Sequence, residues 1–355
     1  MMLSNNAGCD SIVTTVTTLI PPDSTTINVQ SCNAANAGSV VVNLANQFGC
    51  DSIVTTITTY VPGAADTTYL STVSCNPADT GSTSVLLVNA SGCDSLVVSD
   101  TRLCLNVIIG VLLEGPNDAT PGGLMTAELS ENFKILPGQT PSNPAWVATP
   151  AGQPYSVAPW NYPGTEGMNF GNAQYDSIKA VHGAAVTDWV LVSLRSSPSP
   201  ASTVAQSAGL LLQNSSVVFL EPIALPANAA GAYHIMVEHR NHLPVMTPNP
   251  VPLTYVGGIP QVLFNFTDSD GYVSGSSWGQ ANDGVNYLMY LGNLNQIADG
   301  NSYDIDGNDK ATWSIENGIF GTYLQGDVDL SGDITGADKV LFSVNNGLFS
   351  ALLRY

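Results

Sequence analysis

The sequence predicts an all-β chain in three regions: N-terminal disulfide-bonded β-repeats over 1–103, a central β-sandwich over 104–255, and a small acidic C-terminal region with short helices over 256–355. Three observations predict it. Runs of strand length rich in Val, Ile and Thr recur along most of the chain, punctuated by Gly and Pro. The first hundred residues repeat themselves with a period of about 41 to 43. Only 10% of residues are charged while 44% are hydrophobic, so a core can be buried and solubility rests on Ser, Thr, Asn and Gly.

The repeat is carried by Gly8-Cys9-Asp10-Ser11-Ile12-Val13, which returns as Gly49-Cys50-Asp51-Ser52-Ile53-Val54 and as Gly92-Cys93-Asp94-Ser95-Leu96-Val97. Ser31-Cys32-Asn33 and Ser74-Cys75-Asn76 each stand 18 residues before the next such motif. Two copies are complete and the first is a tail. Stretches such as Thr25 to Val29, Ser39 to Leu44 and Ile53 to Tyr60 read as strands. The equal offset predicts bridges Cys32–Cys50 and Cys75–Cys93, each worth about 3 kcal/mol in the chain-entropy model. Cys9 and Cys104 are then left over. They bridge each other, cross to neighbouring subunits, or mark a missing upstream repeat and one buried thiol. Such cysteine usage points to an oxidising compartment. Met1 to Asn6 lacks the basic and apolar regions of a signal peptide, so a leader is expected to be already removed or to lie further upstream. Residues 8 to 20 read as a strand that has lost its repeat partners, and thus as a strand to be donated to another copy.

From Leu105 to Leu253 the pattern changes. Apolar runs at Val107 to Leu113, Trp189 to Leu194, Gly209 to Leu212, Val217 to Leu220 and Tyr233 to Val237 alternate with turn-rich stretches, as in a β-sandwich. Trp146, Tyr155, Trp160 and Tyr162 lie in a Pro-rich loop that they pin to the sandwich, the alternative being a glycan-stacking surface. His239 and His242 could ligate zinc, yet with no third ligand nearby a structural hydrogen-bonding role is expected.

The closing region gathers Asp, Asn and Gly. Asp327, Asp329, Ser331, Thr335 and Asp338 stand at positions 1, 3, 5, 9 and 12 of a loop with Gly332 at 6 and Ile334 at 8, and Asp333 adds charge. Alternate oxygen side chains, a glycine at the sharp turn and an apolar anchor are what wrapping one hard cation requires, so calcium is expected here. An echo follows, because Asp309-Lys310 with Asn317-Gly318-Ile319-Phe320 matches Asp338-Lys339 with Asn346-Gly347-Leu348-Phe349. Asp304, Asp306, Asn308 and Asp309 are the ligands expected in the first half. Asp268-Ser269-Asp270-Gly271 reads as a turn.

Acids outnumber bases 28 to 8. A net charge of −20 makes nucleic acid and anionic membrane surfaces poor partners and divalent cations good ones. No apolar run is long enough to span a bilayer as a helix. No nucleophile elbow, Cys/His pair or paired carboxylate set is apparent, so the chain is expected not to be an enzyme. Asp-Ser/Thr pairs at Ser11, Ser24, Ser52, Thr67, Ser95 and Ser177 match an O-glycosylation acceptor pattern, and equally read as Asx-turns after each cysteine.

The duplicated C-terminal pattern resembles the dockerin type I module, whose two calcium loops each feed a short helix. The wider chain resembles large cell-surface, adhesin-like proteins of Bacteroidetes-type bacteria. That likeness rests on the Gly-Cys-Asp-Ser repeats, Leu113-Glu114-Gly115-Pro116, Thr187-Asp188-Trp189-Val190 and His239-Arg240-Asn241-His242. It implies a secreted, surface-located protein. The function expected is a structural subunit of an extracellular fibre or adhesive layer, joined head to tail to other copies of itself. The alternative is a monomeric carbohydrate-binding adhesin using Trp160, and a secreted hydrolase is the third class.

Overall fold

The computed structural model describes residues 2–4, 6–12, 14–18, 23–45, 49, 51–61, 66–88, 93–117, 124–225, 231–274, 278–296 and 303–352. The chain is mostly β-sheet. It forms two compact units, Met1–Ser71 with Ser82–Asp100, and Thr72–Gly81 with Thr101–Tyr355.

In the first complete repeat, strand Asp51–Tyr60 lies at the centre, parallel to Asp23–Ser31 and antiparallel to Gly38–Ala45. The β-branched content suits the pleated surface, and Asn33 turns the chain between the first two strands. Its side chain accepts from the Ala35 amide at 2.9 Å and caps the single turn Ala34–Asn36. The second copy repeats the plan, with Asn76 capping Pro77–Asp79 and strand Asp94–Gly110 paired to both Asp66–Ser74 and Gly81–Val88. Register places Ile27, Val29, Val40, Val42 and Leu44 on one face of the first sheet, all of them exposed.

The cysteine pairing differs from the expected one. The bridges are Cys32–Cys93 and Cys75–Cys104, with Cα atoms 5.3 and 4.9 Å apart. Equal offsets along the sequence carry no information on distance in space, whereas a bridge requires Cα atoms within about 7 Å. Cys104, expected to be left over, is therefore committed. Cys9 is exposed, and Cys50 lies outside the described residues. The N-terminal strand is also shorter than expected. Among its described residues the strand is Asp10–Ile12, which pairs antiparallel with Met2–Ser4 of its own chain.

The second unit contains the sandwich. One sheet runs Val217–Phe219, Thr203–Leu212, Val186–Arg195, Ala232–His239, His242–Met246, with Val251–Pro252 added beside Ala232–His239. The other joins Ile223–Ala224, residues 104–110, Ile259–Asn265 and Thr254–Val256. Val107, Ile109 and Val262 of the second sheet pack in one core with Val190, Val192, Leu210 and Ile235 of the first. Every residue of Val186–Arg195 is buried, which suits the apolar run Trp189–Val192 at its centre. Because Ile259–Asn265 pairs in parallel with 106–110, the sandwich does not end at 255 as expected.

The Pro-rich loop is pinned down. The Tyr155 hydroxyl donates to the Trp189 carbonyl at 2.7 Å, Tyr162 donates to Glu166 at 2.6 Å, and Trp146 stacks on Phe133. Tyr155, Trp160 and Tyr162 are buried, so these rings form no open platform for sugars.

Helix α1 (Asn172–His182) covers one side and ends at Gly183, whose positive φ stops it. Beyond the sandwich, helices α2 (Gly307–Glu316) and α3 (Gly336–Val344) enclose a small core of Leu291, Leu294, Trp313, Val328, Ile334 and Phe342.

Candidate metal centre

Asp327, Asp329 and Asp338 bring carboxylate oxygens within 4.8 Å of one another, the cluster of this kind found among the described residues. Local hydrogen bonds build it. The Asp327 carboxylate accepts from the Ser331 amide at 2.9 Å and the Gly332 amide at 3.0 Å, and Asp329 accepts from Ser331 at 3.0 Å. Asp338, at the first turn of α3, accepts from Val328 at 3.0 Å and Thr335 at 2.8 Å, so it clamps both ends of the loop. Thr335 caps α3, its hydroxyl accepting from Ala337. Gly332 has φ +87°, and an added Cβ would lie 2.7 Å from the Phe133 ring, so turn and packing both require glycine. Ser331 donates to the Asp333 carbonyl, and Asp333 pairs as a β-bridge with Phe320.

Burial pushes the Asp327 carboxyl well above its usual range, and the charges of Asp329 and Asp338 add to this against Arg240. Burial likewise raises Asp338, with Asp329 adding, against its backbone hydrogen bonds. Burial and the Asp329 charge raise Asp333. Three carboxylates crowded in this way repel one another, and a divalent cation bound by oxygen removes that repulsion. The donor set therefore fits calcium.

The first half differs from the expected ligand set. Asp304 lies in a strand, Tyr303–Asp304, paired with Phe349–Ser350. Asp306 caps α2 and accepts from Asn308 at 2.7 Å. Asp309 accepts from Leu294 at 2.6 Å, Asn295 at 3.0 Å and Asp306 at 2.7 Å. Asn308 is exposed and bonded to Asp306. Asp304, Asp306 and Asp309 form no carboxylate cluster of this kind among the described residues.

The bond from Leu294 to Asp309 is the counterpart of Val328 to Asp338, and Gln296 (φ 55°) matches Leu330 (φ 56°). Gly292-Asn293-Leu294-Asn295 thus answers Gly326-Asp327-Val328-Asp329, in a loop of 17 residues against 12. Asn293, at position 1, is fully buried, and neither polar atom of its side chain has a hydrogen-bond partner among the described residues. Sequence reading missed Asn293 and Asn295 because the five extra residues break the spacing. The Gly-Asx-apolar-Asx echo was the available signal.

Beside the 327–338 loop sits a buried polar network on the turn 239–242. The Asp188 carboxylate accepts from Arg240 Nε at 2.9 Å and the Tyr323 hydroxyl at 2.5 Å, and lies 3.2 Å from His239 Nε2. Against the desolvation of a fully buried carboxyl, which would raise it, Arg240 and His239 hold Asp188 well below the usual range. Burial lowers both His239 and His242, so the pair is neutral near pH 7. The two imidazoles face each other at 2.9 Å and serve as structural hydrogen-bonding groups.

The six Asp-Ser/Thr positions are dispersed. Ser24 and Thr67 are exposed in strands, and Ser52 and Ser95 are half-buried at strand starts. Strand starts, where Asx-turns or exposed turns were expected, follow from Asp51 and Asp94 opening the central strand of each repeat. Ser177 is exposed on α1, and the Ser11 side chain lies outside the described residues. Residues 268–269 bend, and the Asp270 carboxylate accepts from the Gly271 and Gln280 amides.

No protein-family model matches the chain, and no curated protein does. Among solved structures, the chain is similar to a type II cohesin–X-dockerin complex, an N-terminal interface mutant, from Acetivibrio cellulolyticus. The identity is 16% over 44% of this chain and 80% of that one, with a TM-score of 0.26, a likeness that carries no argument.

Proposed function

We propose that the chain is a structural subunit of an extracellular fibre or adhesive surface layer, and that calcium held by the 327–338 loop locks its carboxyl end. The observation that carries this reading is the convergence of Asp327, Asp329 and Asp338 in a loop whose turn, cap and apolar anchor are all in place. Asp327, Asp329 and Asp338 would hold the ion, with Ser331 and Thr335 beside them. Calcium there supplies charge neutralisation and rigidity. The Asn293 loop carries fewer charges and is the weaker member of a dockerin-like pair. Two disulfides support an oxidising, extracellular setting. Among the described residues no helix is long and apolar enough to cross a membrane.

In the finer reading, subunits join head to tail through residues 8–20, a segment of Thr and aliphatic residues in which Ile12 and Val16 are exposed. No catalytic role is proposed.

Calorimetric titration of the full chain with calcium tests the reading. Tight binding is expected, lost in Asp329→Ala, together with a thermal midpoint that falls when the ion is chelated. Negative-stain images should show ordered assemblies that loosen under chelator. Absence of binding heat, with a midpoint indifferent to chelator, rejects the calcium-locked reading.

A further inference from the structure

We infer that Asn241, a sandwich residue outside the metal loop, is a positioning residue for that loop, because its side-chain amide holds the backbone that presents Asp327. The inference rests on the calcium reading above.

Asn241 is fully buried between the ends of strands Ala232–His239 and His242–Met246. Its Nδ2 donates to the Asp327 carbonyl at 2.7 Å and to the Gln325 carbonyl at 3.0 Å. Its Oδ1 lies 2.8 Å from His242 Nδ1, which fixes the orientation of the amide. Its own carbonyl accepts from the Gly292 amide at 2.9 Å, at the entrance of the companion loop. One side chain and one carbonyl thus reach the matching entrances Gly292–Asn293 and Gly326–Asp327.

The neighbours of Asn241 hold the same entrance. Arg240 Nη1 donates to the Leu324 carbonyl, its guanidinium lies 4.3 Å over the Tyr323 ring, and the Tyr323 hydroxyl is tied to Asp188. The Glu316 carboxylate accepts from the Gly326 amide at 2.6 Å. Segment 323–327 is fastened at nearly every residue. Among these anchors from outside the loop, Asn241 is the one whose side chain bonds to the backbone of the first ligand residue itself. Such a partner fixes the direction of the Cα–Cβ bond of Asp327, and with it where the carboxylate can point. Loss of an outer partner of this kind typically weakens metal affinity about 10–100-fold. Metal binding must in return rigidify the turn, since coupling between two sites is reciprocal.

The probe is terbium, a calcium mimic whose emission Trp313 can sensitise, as the indole Nε1 donates to the Thr335 carbonyl of the loop at 3.0 Å. In the full chain, Asn241→Ala should weaken terbium and calcium binding at least tenfold with unchanged stoichiometry, and Asn241→Gln, which keeps the amide, should recover part of it. Tyr162→Phe, which removes a buried hydrogen bond away from segment 323–327, should lower the thermal midpoint and leave the titration unmoved. In the wild type, calcium should slow amide exchange at residues 239–242 as well as in the loop, a measurement needing no variant. Superimposable titrations for wild type and Asn241→Ala, an equal shift in Tyr162→Phe, or unchanged exchange at 239–242 each overturn the inference while leaving the metal site standing. A wild type that binds neither ion takes the calcium reading down with it.

Discussion

At the scale of single residues, burial sets the chemistry of the acidic groups. The Asp309 carboxyl is pushed up to about 6 by burial, with Asp306 adding, against three backbone amides that would lower it. Asp327 and Asp338 move the same way. A carboxyl whose folded value is raised holds its proton in the folded chain after the unfolded chain has released it. Its contribution is therefore fully present below about pH 4 and is lost as pH rises through about 6. In chelator, the thermal midpoint should fall across that interval, and saturating calcium should abolish the fall. A midpoint that climbs through the interval in chelator contradicts the assignment.

Elements were unevenly legible in the sequence. The strands of the repeats could be read because they are rich in Val, Ile and Thr between Asn-capped turns, and strand Val186–Arg195 because of the apolar run Trp189–Val192 at its centre. The second loop could be read because its oxygen residues stand at regular alternate positions around Gly332. The first loop could not, since residues inserted between Asn295 and Asp304 move its oxygen side chains out of any fixed spacing while the Leu294 and Asp309 bond survives. Disulfide connectivity was equally hidden, for the partners of Cys32 and Cys75 depend on strand pairing. Peptide mapping of non-reduced protein should recover Cys32 linked to Cys93 and Cys75 linked to Cys104. Cys75→Ser should cost about 2–5 kcal/mol of stability, read from denaturant melts. Recovery of a Cys75–Cys93 peptide would refute the pairing.

For the whole molecule, the sequence suggested three consecutive domains, whereas the sandwich and the C-terminal helices form one unit. The buried turn 239–242 explains why, since it spends its amide, guanidinium and imidazoles on residues from strand 186–195 and from segment 323–327 alike. The exposed aliphatic face of the first repeat carries no Lys or Arg, and its three strands hold only Asp23 and Asp51 as charged residues. At the extreme N-terminus, deletion of residues 1–20 should abolish head-to-tail assembly in negative-stain images while leaving the calcium titration intact. Unchanged filaments would reject strand donation.

The two sulfur bridges interleave along the chain, 32 to 93 overlapping 75 to 104. A peptide bond cut anywhere between residues 33 and 103 therefore leaves both fragments covalently attached. Within 76–92 two independent reductions are needed to free them. A chain wired in this way keeps its amino-terminal third after a protease nick in that stretch, and sheds it only when nicking and reduction coincide.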